Sequence, residues 1–226
     1  MTNKFKLLTA ALALGSSATF AAEQLVEVES FSGVSVGTGM ISTVSCGNTN
    51  TVTLRGEKKT IDRIEVLIEG TTLDVSRKES AGSMFGKLFS GNNDNQGSVE
   101  VDIVTTGEVS LFDLSTGATM VVDACAVNTS SVTVDGSTGS EITLNGTTGQ
   151  LDLDMSTGAT FNRRSADLFV DNVNFDLSTG ATANLCGAAM VQGDAYTVAM
   201  VYVADHVDTS NVDLSIGAET SSRRCK

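Results

Sequence analysis

The 226-residue chain sets 27 acidic against 14 basic residues, a net charge of −13, and contains neither proline nor tryptophan. That charge argues against nucleic acid and anionic lipid surfaces as partners. Four cysteines without close spacing and a single histidine leave no zinc-type ligand set, and a Ser-His-Asp or Cys-His site would depend on His206 alone.

Residues 1–21 read as an export signal. Lys4 and Lys6 give a positive start, Leu7 to Leu14 an apolar core, and Thr19 and Ala21 the small residues before a cleavage site. The apolar stretch is too short to span a bilayer, and no later stretch is longer. No cysteine follows it, so a lipid anchor is not expected. Its removal leaves 12 basic against 27 acidic residues, a charge of −15. The expectation is an exported protein, periplasmic, secreted or at the cell surface, with residues 22–226 as one domain.

Residues 31–36, 40–44, 52–55, 63–68 and 72–76 read as strands that form the first turns and help cap an open sheet end. Residues 79–98 break the pattern. They join an apolar MFGKLF to a polar, glycine-rich SGNNDNQG, as a flexible loop insertion does.

The remainder is repetitive. Asp-Φ-Ser-Thr-Gly-Ala-Thr, with Φ apolar, occurs at 113–119, 154–160 and 176–182, and looser copies lie at 135–141 and 213–219. Its glycines are Gly117, Gly139, Gly158, Gly180 and Gly217. Including other Ser/Thr-x-Gly tripeptides, the steps 107 to 117, 139 to 149 and 149 to 158 are 10, 10 and 9 residues, and the steps 117 to 139 and 158 to 180 are 22. Between turns, Leu151, Leu153 and Met155 alternate with Asp152, Asp154 and Ser156, as Val173, Phe175 and Leu177 alternate with Asn174, Asp176 and Ser178. A period of two with one apolar face is a half-buried strand, and Ser-Thr-Gly is a tight turn whose glycine takes positive φ. Near-identical units of about 10 residues predict a coil of two opposed sheets with rungs of about 20 residues. The predicted fold is all-β, a right-handed parallel β-helix. The alanine after each glycine fits a tight corner, and Asp113, Asp154, Asp176 and Asp213 face solvent.

An even cysteine count in an exported chain implies two disulfides among Cys46, Cys125, Cys186 and Cys225, with three possible connectivities. Bridged Cα atoms lie within about 7 Å. Cys125 and Cys186 stand 61 residues, or three rungs, apart, so Cys46–Cys125 and Cys186–Cys225 are the expected pairs.

The sharpest chemical candidate is the acidic column. Asp152, Asp154, Asp176 and Asp213, with Asn174 and Asn211, repeat as Asx-Φ-Asp, and stacked oxygens about 4.8 Å apart could hold Ca²⁺. The calcium-binding β-helix repeat Gly-Gly-x-Gly-x-Asp is absent, so a solvated face whose side chains cap turn N–H groups is preferred, and no metal or cofactor is expected. Arg163 and Arg164, near Asp167, are the basic pair a lyase would need, but ordinary surface charge accounts for them. His206 reads as a surface residue.

FSGVSVGTG at 31–39, LIEGTTLDVS at 67–76 and the run of DLSTGA turns together resemble the bacterial family called putative auto-transporter adhesin, head GIN domain, over about 31–218. The resemblance implies a two-sheet β-superhelix of the pectin-lyase shape, no recognised catalytic set, and adhesion as the role. The chain departs from the family's label in having no barrel-like segment after Ala218 and no coiled-coil stalk. The expected function is therefore non-enzymatic: adhesion or envelope binding through a repetitive Asp/Ser/Thr face, with a protein or glycan partner and self-association left open. The alternatives are a polysaccharide-active enzyme on the same scaffold and a periplasmic envelope-maintenance protein.

Overall fold

The computed structural model describes residues 22–78, 97–163 and 167–225. The expected signal, most of the 79–98 insertion and Arg164 lie outside the described residues. The chain begins with β1 (Ala22–Glu27), β2 (Gly33–Val36), β3 (Met40–Cys46) and β4 (Thr51–Gly56), then a single helical turn α1 (Lys58–Ile61), β5 (Ile64–Glu69), β6 (Thr72–Arg77) and β7 (Val99–Thr105). The repeat region follows as β8 (Leu111–Leu114), β9 (Thr119–Val122), β10 (Asn128–Gly136), β11 (Glu141–Leu144), β12 (Gly146–Met155) and β13 (Thr160–Phe161). It ends with β14 (Leu168–Leu177), β15 (Thr182–Asn184), β16 (Ala188–Ala195), β17 (Met200–Tyr202), β18 (Val212–Leu214) and β19 (Glu219–Ser221).

These strands build two sheets, one of ten strands in the order β1-β4-β7-β3-β9-β11-β13-β15-β17-β19, the other of nine in the order β18-β16-β14-β12-β10-β8-β2-β6-β5. From β8 onward the chain alternates strictly between them and every pairing is parallel, so the repeat is a β-helix. In-register residues of the nine-stranded sheet run 113, 135, 154, 176, 194, 213, giving rungs of 22, 19, 22, 18 and 19 residues.

The turns explain the motif. In each, the alanine or serine N–H closes back on the carbonyl three residues earlier, as from Ala118 to Ser115 (3.0 Å), Ala159 to Ser156 (2.9 Å) and Ala181 to Ser178 (3.0 Å). The third residue then needs positive φ, and Gly117, Gly139, Gly158, Gly180 and Gly217 lie between 67° and 71°. Each turn also binds the next rung: the N–H of Gly117 donates to Thr138, Gly139 to Thr157, Gly158 to Thr179 and Gly180 to Thr197, all at 3.0–3.1 Å. Ala118, Ala159 and Ala181 are fully buried at the corner.

The interior is a stack of apolar columns. Phe112, Val134, Leu153, Phe175 and Gly193 share one column, and Leu114, Gly136, Met155, Leu177 and Ala195 the next. Large and small residues alternate where room demands it. A Cβ on Gly136 would lie 2.7 Å from the Met155 side chain, and one on Gly193, whose φ is 142°, 2.0 Å from the Phe175 carbonyl oxygen.

The N-terminal strands are not simple first turns of the coil, which corrects the sequence expectation. β4 pairs antiparallel with both β1 and β7, and β5 antiparallel with β6. For β5 the connection dictates this, since β5 and β6 are joined by only Gly70 and Thr71 and a short link cannot cross over to a parallel neighbour. β2 and β3 lie inside the stack, β2 between β6 and β8 and β3 between β7 and β9. β1, which carries no repeat signal, forms the edge of the ten-stranded sheet.

Cys46 is bridged to Cys125 (Cα–Cα 6.2 Å) and Cys186 to Cys225 (5.1 Å). The first bond ties β3 to the corner after β9, and the second ties the C-terminal tail to the corner after β15.

Candidate functional site

Parallel, in-register pairing stacks identical positions of successive rungs directly over one another at about 4.8 Å. On the outer face of the nine-stranded sheet this aligns Asp74, Ser35, Asp113, Asp135, Asp154, Asp176, Asp194 and Asp213 in one column. Two residues earlier on each strand, Thr133, Asp152, Asn174 and Gln192 form a parallel column. On the turn side, Ser115, Ser137, Ser156 and Ser178 lead to Tyr196 and Ser215. The face is thus a grid of short oxygen-bearing side chains, grooved by shallow depressions of about 310 Å³ along Asp135, Asp154, Asp176 and Asp194, and about 480 Å³ beside Asn174, Gln192, Asn211 and Asp213.

The two sheets treat their acids differently. On the ten-stranded sheet Arg55 pairs with Glu23 (3.1 Å) and with Asp102, and Arg163 with Glu141 (3.3 Å). The Thr43 hydroxyl, donating at 2.7 Å, and then Arg55 hold the Asp102 carboxyl below the usual carboxylate range. Among the described residues no cation pairs with any member of the aspartate column. The Asp135 carboxyl is pushed up, first by partial desolvation and then by Asp154 and Asp113; Asp176 is pushed up likewise, by desolvation and then by Asp154 and Asp194. The Tyr196 phenol is raised chiefly by Asp194, with Asp176 and Asp213 adding to it. The face is an uncompensated strip of negative charge.

Of the sequence candidates, Asp154, Asp176 and Asp213 share the central column, and Asp152 stands in the one beside it. No group of three or more His, Cys, Asp or Glu residues is arranged to hold a metal ion among the described residues. Arg163 leaves the ten-stranded sheet after β13 and is paired with Glu141, so it does not stand beside the aspartates. His206 is exposed in the loop before β18.

The sequence motif did not reveal Asp194 or Asp74. Asp194 begins DAYTVA, which keeps the aspartate, threonine and alanine of the repeat but places Tyr196 and Val198 where serine and glycine stand elsewhere. Val198 takes φ 61° and fills the turn position of the glycines, donating its N–H to Ile216 (3.1 Å). The 37 residues between Gly180 and Gly217, about two rungs, were the signal that a disguised turn lay between them. Asp74 precedes the repeat altogether and joins the column only because β2 and β6 are neighbours.

A family model described as "Putative auto-transporter adhesin, head GIN domain" matches residues 30–206, and the chain belongs to that family. No curated protein matches the sequence. Among solved structures, a putative adhesin from Bacteroides fragilis NCTC 9343 aligns with a TM-score of 0.63 at 10% identity, covering 90% of this chain and 96% of that one. A putative adhesin from Parabacteroides distasonis ATCC 8503 gives 0.56 at 8% identity (89% and 97% covered), and one from Parabacteroides merdae ATCC 43184 gives 0.50 at 11% (89% and 95% covered). At these identities the likeness is one of fold.

Proposed function

We propose that this member of the head GIN domain family is a non-enzymatic, exported adhesion-type module that engages a protein or glycan through the Asp/Ser/Thr face of its nine-stranded sheet. The observation carrying the reading is the in-register aspartate column, with no cation paired to it among the described residues, while Glu23, Asp102 and Glu141 of the other sheet are paired. A face held rigid by ladder hydrogen bonds and crossed by shallow grooves offers repeated, identically oriented acceptors to an extended ligand. Hydroxyls or cationic groups spaced along that ligand would each meet a carboxylate, so weak contacts add along the column.

Two measurements test this. Protease shaving of intact cells, with a periplasmic protein as control, reports location: loss of the protein while the control is protected supports surface adhesion, and full protection until the outer membrane is opened refutes it in favour of an envelope role. Binding of purified protein to immobilised glycans and cell-surface extracts, compared with a combined Asp135→Ala, Asp154→Ala and Asp176→Ala variant, reports the face. Equal binding by the variant would remove the aspartate column from the function.

A further inference from the structure

The two ends of the coil are finished differently. At the N-terminal end the edge strands β1 and β5 run antiparallel to their single neighbours β4 and β6, and α1 buries Thr60 and Ile61 beside β1 and β4. At the C-terminal end the edge strands β18 and β19 are parallel to their single neighbours β16 and β17. Leu214 belongs to the buried column of Leu177 and Ala195, yet it is 45% exposed because no further strand stands on it.

The same end is where the repeat abandons its polar turn chemistry. Tyr196 is 43% exposed, Val198 64% and Ile216 82%, at positions held by serine, glycine and threonine in the regular turns. Val198 does so in a backbone conformation that β-branched residues avoid. Large exposed apolar side chains beside unpaired strand edges mark an interaction surface, and a local rule broken at one site points to function there.

The opposite margin of this end is charged. Asp205 and Asp208 lie on the loop entering β18, whereas Arg223 and Arg224 follow β19, with Arg224 stacked over the Tyr202 ring at 4.4 Å; among the described residues none of the four is in a salt bridge. Because the chain reverses at every Ser-Thr-Gly turn, strands of the two sheets run in opposite directions. A two-fold axis along the strand direction therefore exchanges the sheets. It brings β18 antiparallel to β19 of a second molecule, mates the Val198–Ile216 cluster with its own copy, and sets Arg223 of each molecule against Asp205 and Asp208 of the other. We propose that the C-terminal end of the coil is the interface of a closed homodimer formed in this way. Asp213 and Glu219 flank the seam and oppose it, so the dimer is a weak one whose dissociation falls within the micromolar range.

Sedimentation equilibrium of the purified protein, from low micromolar to sub-millimolar concentration, tests it. The expected result is a monomer–dimer equilibrium. Ile216→Asp, at a position too exposed to matter for folding, should weaken it at least about tenfold with an unchanged melting curve. Arg223→Glu should weaken it, and adding Asp205→Arg to that variant should restore it. A monomer throughout the range, growth beyond the dimer, or an Ile216→Asp protein that dimerises as tightly as the wild type would each overturn the proposal.

Discussion

Gly193→Ala should be one of the most damaging single-methyl substitutions in the repeat region. A Cβ there would stand 2.0 Å from the Phe175 carbonyl oxygen, against a practical minimum of 3.0 Å, so β14 and β16 must part by about 1 Å or the chain must twist. Gly193 pairs with Phe175 on one side and Val212 on the other, and parting the strands loosens two or three ladder hydrogen bonds at about 1 kcal/mol each. Holding alanine at a φ of 142° adds about 1–3 kcal/mol. The sum, about 3–6 kcal/mol, is a large share of the 5–15 kcal/mol typical of a domain and implies a fall in melting temperature on the order of 10–20 °C. Gly117→Ala is the control. Its φ is also positive, at 67°, but no atom lies within 4 Å of the added carbon. Its cost is the left-handed conformation, about 1–2 kcal/mol, less about 0.4–1 kcal/mol from a stiffer unfolded chain. Thermal and urea unfolding of the two variants would settle the matter. If Gly193→Ala melted within a few degrees of wild type, or above Gly117→Ala, the close approach of β14 to β16 would be wrong.

Val198→Gly should raise the melting temperature of the monomer by a few degrees, since it removes left-handed strain from a mostly exposed β-branched residue, while loosening self-association; scanning calorimetry at low concentration isolates the first effect. Asp154→Asn should lower the carboxyl pKa of both Asp135 and Asp176, which NMR titration reads directly. Raised carboxyl pKa values mean that the column's contribution to stability is fully present below the unfolded pKa of about 3.9 and is lost as pH rises through the folded values. The substitution should therefore stabilise by a few tenths of a kcal/mol at pH 7 and lose that gain in acid. Cys225→Ser opens a loop of 39 residues and Cys46→Ser one of 79, each costing about 4 kcal/mol on a chain-entropy reckoning; non-reduced melting curves near wild type for either variant would contradict the reckoning.

The repeat was legible because each of its residues answers one physical demand. Glycine marks the positive-φ turn, alanine the buried corner, aspartate the solvent side of a strand, and the spacing of about 20 residues the rung. That arithmetic also separates Cys125 from Cys186, since β9 and β15 are three strands apart. What stayed hidden depends on contacts distant in sequence. The antiparallel pairing of β4 with β1 and β7, the place of β2 and β3 inside the stack and the arrival of Asp74 in the aspartate column follow from which edges remained open when each segment was placed. Asp194 was hidden for the opposite reason: its turn is local and regular in shape, but Val198 fills it with a residue whose propensity points elsewhere.

The spatial order of the first strands constrains how the molecule can assemble. In a coil wound in chain order every new turn lands on a finished one, and growth can proceed as the polypeptide emerges. Here β3, made early, has no neighbour on either side until β7 and β9 exist, and β2 waits for both β6 and β8. Apart from the β5–β6 hairpin and the β1–β4 pair, the strands before Val122 cannot settle piecemeal, and the Cys46–Cys125 bond closes only when that block is complete. Everything after it adds in sequence onto a prepared template. The protein therefore has a seed and a growing tip: removal of whole turns from the C-terminal side shortens it, whereas the loss of β2 or β3 deprives it of a place to start.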